Sequence, residues 1–330
     1  MNIVDFHNHF YPPAYLEALR TGGTSVRVTT DEAGNPVLHY PGDYNVVVPG
    51  HRDIEHRTRV LESAGVDTQV LTLTSPGTHV ETQKRAVELA RLVNDAFAEL
   101  VGARRDRFTA LATLPLNDPS ASVTEFVRAI DDLGLPGAML FSNVNGTALS
   151  DRVYWPLYEA AAERNAVLYI HPIHPVGVEA MTQYWLMPLV GFPADTTLAA
   201  ASLVFSGVVE KFRGIRWVLA HLGGTIPYLA ERLDRGYEAF EECRRAVDTL
   251  PSELLRDFWY DTVNFDPAAL RLALDFAGAG KLLAGSDYPH AIGSIRMMKE
   301  SIGSLDLDET QRAAVLGGNA RTLLGLSGAG

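Results

Sequence analysis

The chain has 330 residues, 47% hydrophobic and 21% charged, with 40 acidic against 28 basic side chains and a net charge of -12. That size and composition suit a globular α/β barrel with a large core, and the acidic balance argues against nucleic acid or an anionic membrane as partner. A lone cysteine, Cys243, excludes an internal disulfide framework and a thiolate metal cluster. No basic, apolar leader opens the sequence and no run reaches the ~18 unbroken apolar residues of a membrane span, so a cytoplasmic enzyme is expected.

The first strand-like run is NIVDFHNH (2–9), closed by Pro12 and Pro13. His7 and His9 are two apart, so in a strand both imidazoles share one face. From Tyr11 to about Gly50 the pattern changes. TTDEAGNPVLHYPGDYNVVVPG predicts a small hairpin or lid inserted after the first strand, with turns at Gly34-Asn35-Pro36 and Pro41-Gly42-Asp43.

Seven further runs follow: TQVLTL (68–73), FTALATLP (108–115), GAMLFS (137–142), AVLYIHP (166–172), IRWVLAHLGG (215–224), FWYDTV (258–263) and KLLAGSDYP (281–289). Helical patterns lie among them at 81–102, 119–133, 152–165, 225–245, 266–278 and 291–303. Residues 173–200, rich in Pro, Met and Trp, form a long loop after the fifth strand. Most runs are too apolar to have a wet face, as parallel barrel strands should be. The alternation predicts a single (β/α)8 TIM barrel over 1–330. A dinucleotide-binding sheet is disfavoured, because the His pair occupies the turn where G-x-G-x-x-G would stand.

Three more ligand-type residues end strands: His171 the fifth, His221 the sixth and Asp287 the eighth. In a barrel those ends form one ring, so His7, His9, His171, His221 and Asp287 should face a common point. Such a set suits a borderline divalent ion with an open position. Other residues carry weaker signals. His174 stands one loop step from His171 and can touch substrate, and His290 is a partner of the ligands. Trp185, Tyr184 and Met187, like Phe10 and Tyr11, can floor an aromatic pocket. Asn319 reads as a helix N-cap, and Asp5 as a barrel-core hydrogen-bonding group.

DFHNHFYP, YIHP, AHLGG and GSDYPH, in this order and spacing, resemble the amidohydrolase superfamily, and within it the aminocarboxymuconate-semialdehyde decarboxylase-like branch. YWLMPLVGFPADTT (184–197), VFSGVVEKF (204–212), WYDTVNFDPAAL (259–270) and GGNARTLLGL (317–326) extend the likeness along nearly the whole chain. The resemblance implies one metal held by His7, His9, His171 and Asp287, with His221 left unligated as acid/base. By donor type the ion expected is zinc, with manganese as the alternative. Binuclear members bridge two ions with a carboxylated lysine at the fourth strand end. Here that end reads GAMLFSN, and the lysines are Lys84, Lys211, Lys281 and Lys299.

The resemblance also implies non-oxidative decarboxylation of a small aromatic or unsaturated carboxylic acid. Hydrolysis of an amide, ester or lactone, or hydration, at the same site is the alternative. Arg232 matches an arginine that decarboxylases of this branch insert across a dimer interface, which implies a homodimer. A second carboxylate-binding arginine of that branch falls near Asn45 here, with Arg52 a few residues on. That departure favours a monocarboxylated substrate over the branch's own semialdehyde.

Overall fold

The computed structural model describes residues 2–22 and 25–326. At its centre run eight parallel strands: β1 (Val4–His9), β2 (Thr68–Thr72), β3 (Phe108–Ala110), β4 (Gly137–Phe141), β5 (Val167–His171), β6 (Arg216–Leu219), β7 (Trp259–Asp261) and β8 (Leu282–Leu283). Strands β1 to β3 pair in order, and so do β4 to β8. The two groups meet at both seams. Ala112 bridges Ala138 on one side, Asn8 bridges Tyr288 on the other, and Phe6 N donates to Ala284 O at 2.7 Å. This is the circular order of a (β/α)8 barrel, and every residue of β1, β2, β4 and β5 is buried. Burial on both faces is why those runs lack polar alternation.

The outer helices are α1 (Ile54–Ala64), α2 (Gln83–Ala103), α3 (Pro119–Asp131), α4 (Trp155–Glu163), α5 (Phe192–Phe205), α6 (Ile226–Ala239), α7 (Pro267–Ala277) and α8 (Ile295–Gly303). Their starts are chemically marked. Asp53, Thr82, Asp118, Asp266 and Ser294 accept the first free amides of α1, α2, α3, α7 and α8. Six of the eight match the periodic segments of the sequence. Of the other two, α1 has a short stripe of Ile54, Leu61 and Ala64 interrupted by Arg57, and α5 has none. The only buried residues of α1 are Arg57 and Leu61, while α5 is apolar nearly all round and lies inside the apparent loop.

By length and composition, Met187–Phe205 is apolar enough to cross a membrane, with 44% of the window buried inside the protein. Asp195 within it is buried and accepts from Asn143 Nδ2 at 2.8 Å and from Ser142 Oγ. That is the behaviour of a core helix.

The insertion after β1 is more than a hairpin. A helix, Pro13–Thr21, leads into an antiparallel meander of Arg27–Thr30, Pro36–Tyr40 and Asp43–Val46. Pro12 and Pro13 end the strand and also start this helix, where a missing amide costs nothing. At the second turn Gly42 has φ +82°, and a Cβ there would lie 2.0 Å from His174 Cε1. The meander is thereby seated on the loop after β5.

Asn319 is not an N-cap. Residues Ala314–Gly318 before it are already helical, and its side-chain amide donates to Ala279 O and Leu282 O, both at 2.8 Å. It clamps the start of β8. Replacing Asn319 with Ala leaves both carbonyls without that donor, and equilibrium unfolding in urea should show a loss of about 2 kcal/mol.

Candidate metal centre

Five side chains from four strand ends meet at the C-terminal rim. His7 and His9 alternate along β1, so their Nε2 atoms face each other at 3.2 Å. Asp287, in the turn after β8, places Oδ1 3.3 Å from each. The ring of His171, last in β5, lies 5.2 Å from that of His7 and 4.8 Å from that of His9, measured between centroids. His221, two residues past β6, lies 4.9 Å from His7 and 5.4 Å from His171. The ligating atoms of His7, His9 and Asp287 fall within 4.8 Å of one another, as do those of His7, His171 and His221.

Hydrogen bonds on the far side of each ring fix which nitrogen faces the centre. His7 Nδ1 donates to Asp261 Oδ2 at 2.7 Å. His9 Nδ1 lies 3.1 Å from Thr72 Oγ1, and that hydroxyl already donates to Asn8 O, so it must accept from the ring. His171 Nδ1 donates to Pro172 O at 2.8 Å. All three rings therefore turn an Nε2 lone pair inward. There they meet Asp287 Oδ1, which is buried without a hydrogen-bond donor of its own. Three lone pairs and a carboxylate oxygen repel one another unless a cation lies between them. The residues fit a divalent ion.

The ionisation pattern agrees. Burial holds His9 and His171 well below the usual imidazole range, and holds His221 down at about 4. For Asp287, burial is outweighed by the His7 and His9 contacts, which keep it well below the usual carboxylate range. Burial likewise opposes charge on His7, yet Asp261 and Asp287 raise it to about 10. The centre calls for positive charge.

Asp261, the last residue of β7, does more than orient His7. Its carboxylate also accepts from Tyr169 Oη at 3.0 Å, from His221 N at 3.2 Å and from Val263 N at 2.9 Å. His221 and Leu222 have φ +52° and +58°, a left-handed conformation that costs non-glycine residues about 1–3 kcal/mol. The carboxylate reaches both amides and stabilises that turn. Asp287 has φ +57° and donates its own amide to His7 O at 2.8 Å. Gly285 is required beside it, since a Cβ there would stand 2.8 Å from the Cβ of His7.

Beneath the rim lies Arg57, fully buried. It donates from Nε to Gly50 O at 3.0 Å and from Nη1 to Asn8 Oδ1 at 2.7 Å and Gln69 Oε1 at 2.8 Å. Nη2 donates to His9 O and to Gly50 O. The rings of Phe10 and Tyr288 lie 5.4 and 5.0 Å from its guanidinium carbon. Gln69 donates onward to Asp5 Oδ2, which also takes the Ser286 hydroxyl at 2.6 Å. Asp5 is thus the core hydrogen-bonding group that strand parity suggested, pushed up to about 6 by burial.

The weaker sequence candidates are placed less uniformly. His290 packs 4.9 Å from His9, beside the centre. His174 rests on Gly42 with its Nδ1 buried and unpaired. Phe10 is stacked under Arg57 and lines a separate cavity of about 710 Å³ with Leu16, Arg20 and Arg52. Trp185 is 58% exposed and packs on Tyr44 of the meander, centroids 5.7 Å apart. Arg232 is exposed on α6. Asn45 donates to Tyr11 Oη at 2.6 Å, and Arg52 donates to Val47 O at 3.2 Å within the insertion. Within one chain, none of Phe10, Trp185, Arg232 and Arg52 contacts the imidazole cluster among the described residues.

Three residues around the centre carry no signal of their own in the motifs: Asp261, Arg57 and His51. Asp261 was legible by position alone, since it ends the run FWYDTV as the ligands end theirs. The other two stand singly, on α1 and on the turn before it, with no spacing to mark them.

Residues 4–326 match the family model described as Amidohydrolase, and the chain belongs to that family. It is 36% identical over 280 residues to the 2-amino-3-carboxymuconate-6-semialdehyde decarboxylase of Dictyostelium discoideum, covering 83% of this chain and 77% of that protein. Among solved structures it resembles 5-carboxyvanillate decarboxylase from Sphingomonas paucimobilis, with a TM-score of 0.87, 25% identity and 99% of each chain covered. It also resembles a dihydroxybenzoic acid decarboxylase from a Polaromonas species, solved with manganese and the inhibitor 2-nitroresorcinol. There the TM-score is 0.83 and the identity 25%, covering 100% of this chain and 98% of that one.

Arg57→Leu should leave four buried oxygens without donors, those of His9, Gly50, Asn8 and Gln69. Urea unfolding should register a loss of about 3 kcal/mol or more, and Arg57→Lys a smaller one.

Proposed function

We propose that the chain is a metal-dependent, non-oxidative decarboxylase of a small aromatic or unsaturated carboxylic acid. The convergence of three inward-facing imidazole lone pairs on the Asp287 carboxylate, with His221 beside them, is the observation that carries this reading. The decarboxylase names of the relatives in this family support it. In this reading His7, His9, His171 and Asp287 hold one divalent ion. Their nitrogen-rich set suits zinc. Manganese, present in the Polaromonas neighbour, is the alternative, and elemental analysis of the purified protein separates the two. When bound, the ion acts as a Lewis acid that fixes the oxygens of the acid and withdraws charge from the bond to be broken.

His221 supplies the proton. Burial and the neighbouring His7 hold it at about 4, so alone it is a neutral base. An incoming carboxylate raises that value and lets the ring arrive charged. The proton then passes to the carbon bearing the carboxylate. As the C–C bond breaks, its electron pair stays with that carbon and CO2 leaves.

The substrate carboxylate needs a cation partner that one chain does not bring to the centre. Helix α6 exposes Tyr228 at 76% together with Arg232, and Leu189, Val190 and Leu198 are each more than half exposed on the preceding helical stretch. Such a surface supports a homodimer in which Arg232 enters the neighbouring site.

Incubation with hydroxybenzoates and muconate-type acids should release CO2. Chelation should abolish the release, and His221→Asn should lower kcat by about 10²–10⁴. Turnover of esters or lactones with no CO2 from any acid would overturn the assignment. Arg232→Ala should raise KM about tenfold or more, and light scattering should show a dimer.

A further inference from the structure

Beside the ligands lies an imidazole pair that the proposed chemistry leaves unused. His51 stands on the short turn Pro49–Arg52, where the chain returns from the insertion. Its ring meets that of His290 edge to face, centroids 5.0 Å apart, and His290 lies 4.9 Å from the ligand His9. The two residues are remote in sequence and meet because β1 and β8 are neighbours.

His51 is 1% exposed, and among the described residues neither Nδ1 nor Nε2 has a hydrogen-bond partner. Its surroundings are otherwise satisfied. Its amide donates to Val48 O at 2.9 Å, and its carbonyl accepts from Tyr11 N at 2.7 Å. The next carbonyl back, of Gly50, takes Arg57. Each unmade bond on a buried polar group costs about 1–3 kcal/mol, a cost that a leucine or phenylalanine in the same place would avoid. At this rim Asp287 Oδ1 and His221 Nδ1 are in the same unpaired state, and those are the groups assigned to the ion and the proton transfer. Atoms left bare here are the ones whose partners come from outside the chain.

We infer that His51, with His290, forms a polar subsite beside the metal centre that hydrogen-bonds a hydroxyl group on the carboxylic acid substrate. The inference rests on the decarboxylase reading for the identity of that acid. A neutral imidazole offers one N–H donor and one lone pair, and a hydroxyl group answers both. A second carboxylate would offer acceptors alone and would need a cation with free donors. Arg57, the buried cation next to this turn, has each of its nitrogens committed to Gly50, Asn8, Gln69 or His9. The subsite therefore selects hydroxylated monocarboxylic acids over their deoxy counterparts.

The test uses the metal-loaded full chain and unreactive nitro analogues: 2-nitrophenol and its ring-hydroxylated derivatives, 2-nitroresorcinol among them. Calorimetry on the native protein should show at least one dihydroxy probe binding about threefold to tenfold more tightly than 2-nitrophenol. His51→Phe should bring that ratio close to one, His51→Gln should restore part of it, and His290→Phe should reduce it. If His51→Phe fails to fold, the other two variants read the same ratio. Absence of any hydroxyl preference in the native protein, or a native ratio in the variants, overturns the subsite. Because the probes do not react, hydroxyl preference without CO2 release from any acid removes the decarboxylase reading and leaves the subsite standing. CO2 release with ratios unmoved by these substitutions does the reverse.

Discussion

The carboxylate of Asp261 is the constraint on which the centre depends. It is wholly buried and takes donors from five other residues: His7, Tyr169, His221, Leu222 and Val263. One anion thereby sets the tautomer of a metal-facing imidazole and holds open the left-handed turn that carries His221. A buried charge is tolerated only where its partners are fixed. The same fixity is what a metal site needs from the groups behind its ligands.

Arg57 plays the complementary part under the other half of the rim. A guanidinium without a contacting carboxylate is costly to bury, and this one is pulled down to about 10 by burial. Its donors spread over β1, β2 and the turn after the insertion. Through Gln69 and Asp5 the network continues to Ser286, next to Asp287. Ligands from the first and last strands are thus set by one connected set of buried polar groups, and fully connected networks of this kind define a single geometry.

The two excursions from the strand ends pack against each other. The meander and the loop after β5 meet where Gly42 accepts His174 and Tyr44 accepts Trp185. The base of the insertion delivers His51 to His290. The barrel fixes the imidazole cluster, and the excursions fix what lies beside it.

Much of this was legible beforehand. Strand-end position alone picked out His7, His9, His171, His221 and Asp287, because residues ending parallel strands in one barrel share a rim. The eight apolar runs marked the strands, and periodicity marked six of the outer helices. Helix α1 escaped because its short stripe is interrupted by a charged residue, and α5 because periodicity reports only a helix with one apolar face. The first hides an arginine as its main buried group, and the second is apolar almost all round.

What the amino-acid sequence determined by itself, then, was the barrel and the five side chains that gather at its rim, since both follow from local spacing repeated along the chain. Only the tertiary structure decided that Asp261 backs His7, that Arg57 ties the rim together, and that His51 meets His290. Those pairings join residues up to 254 positions apart, and no local pattern encodes a contact that exists only once the barrel has closed.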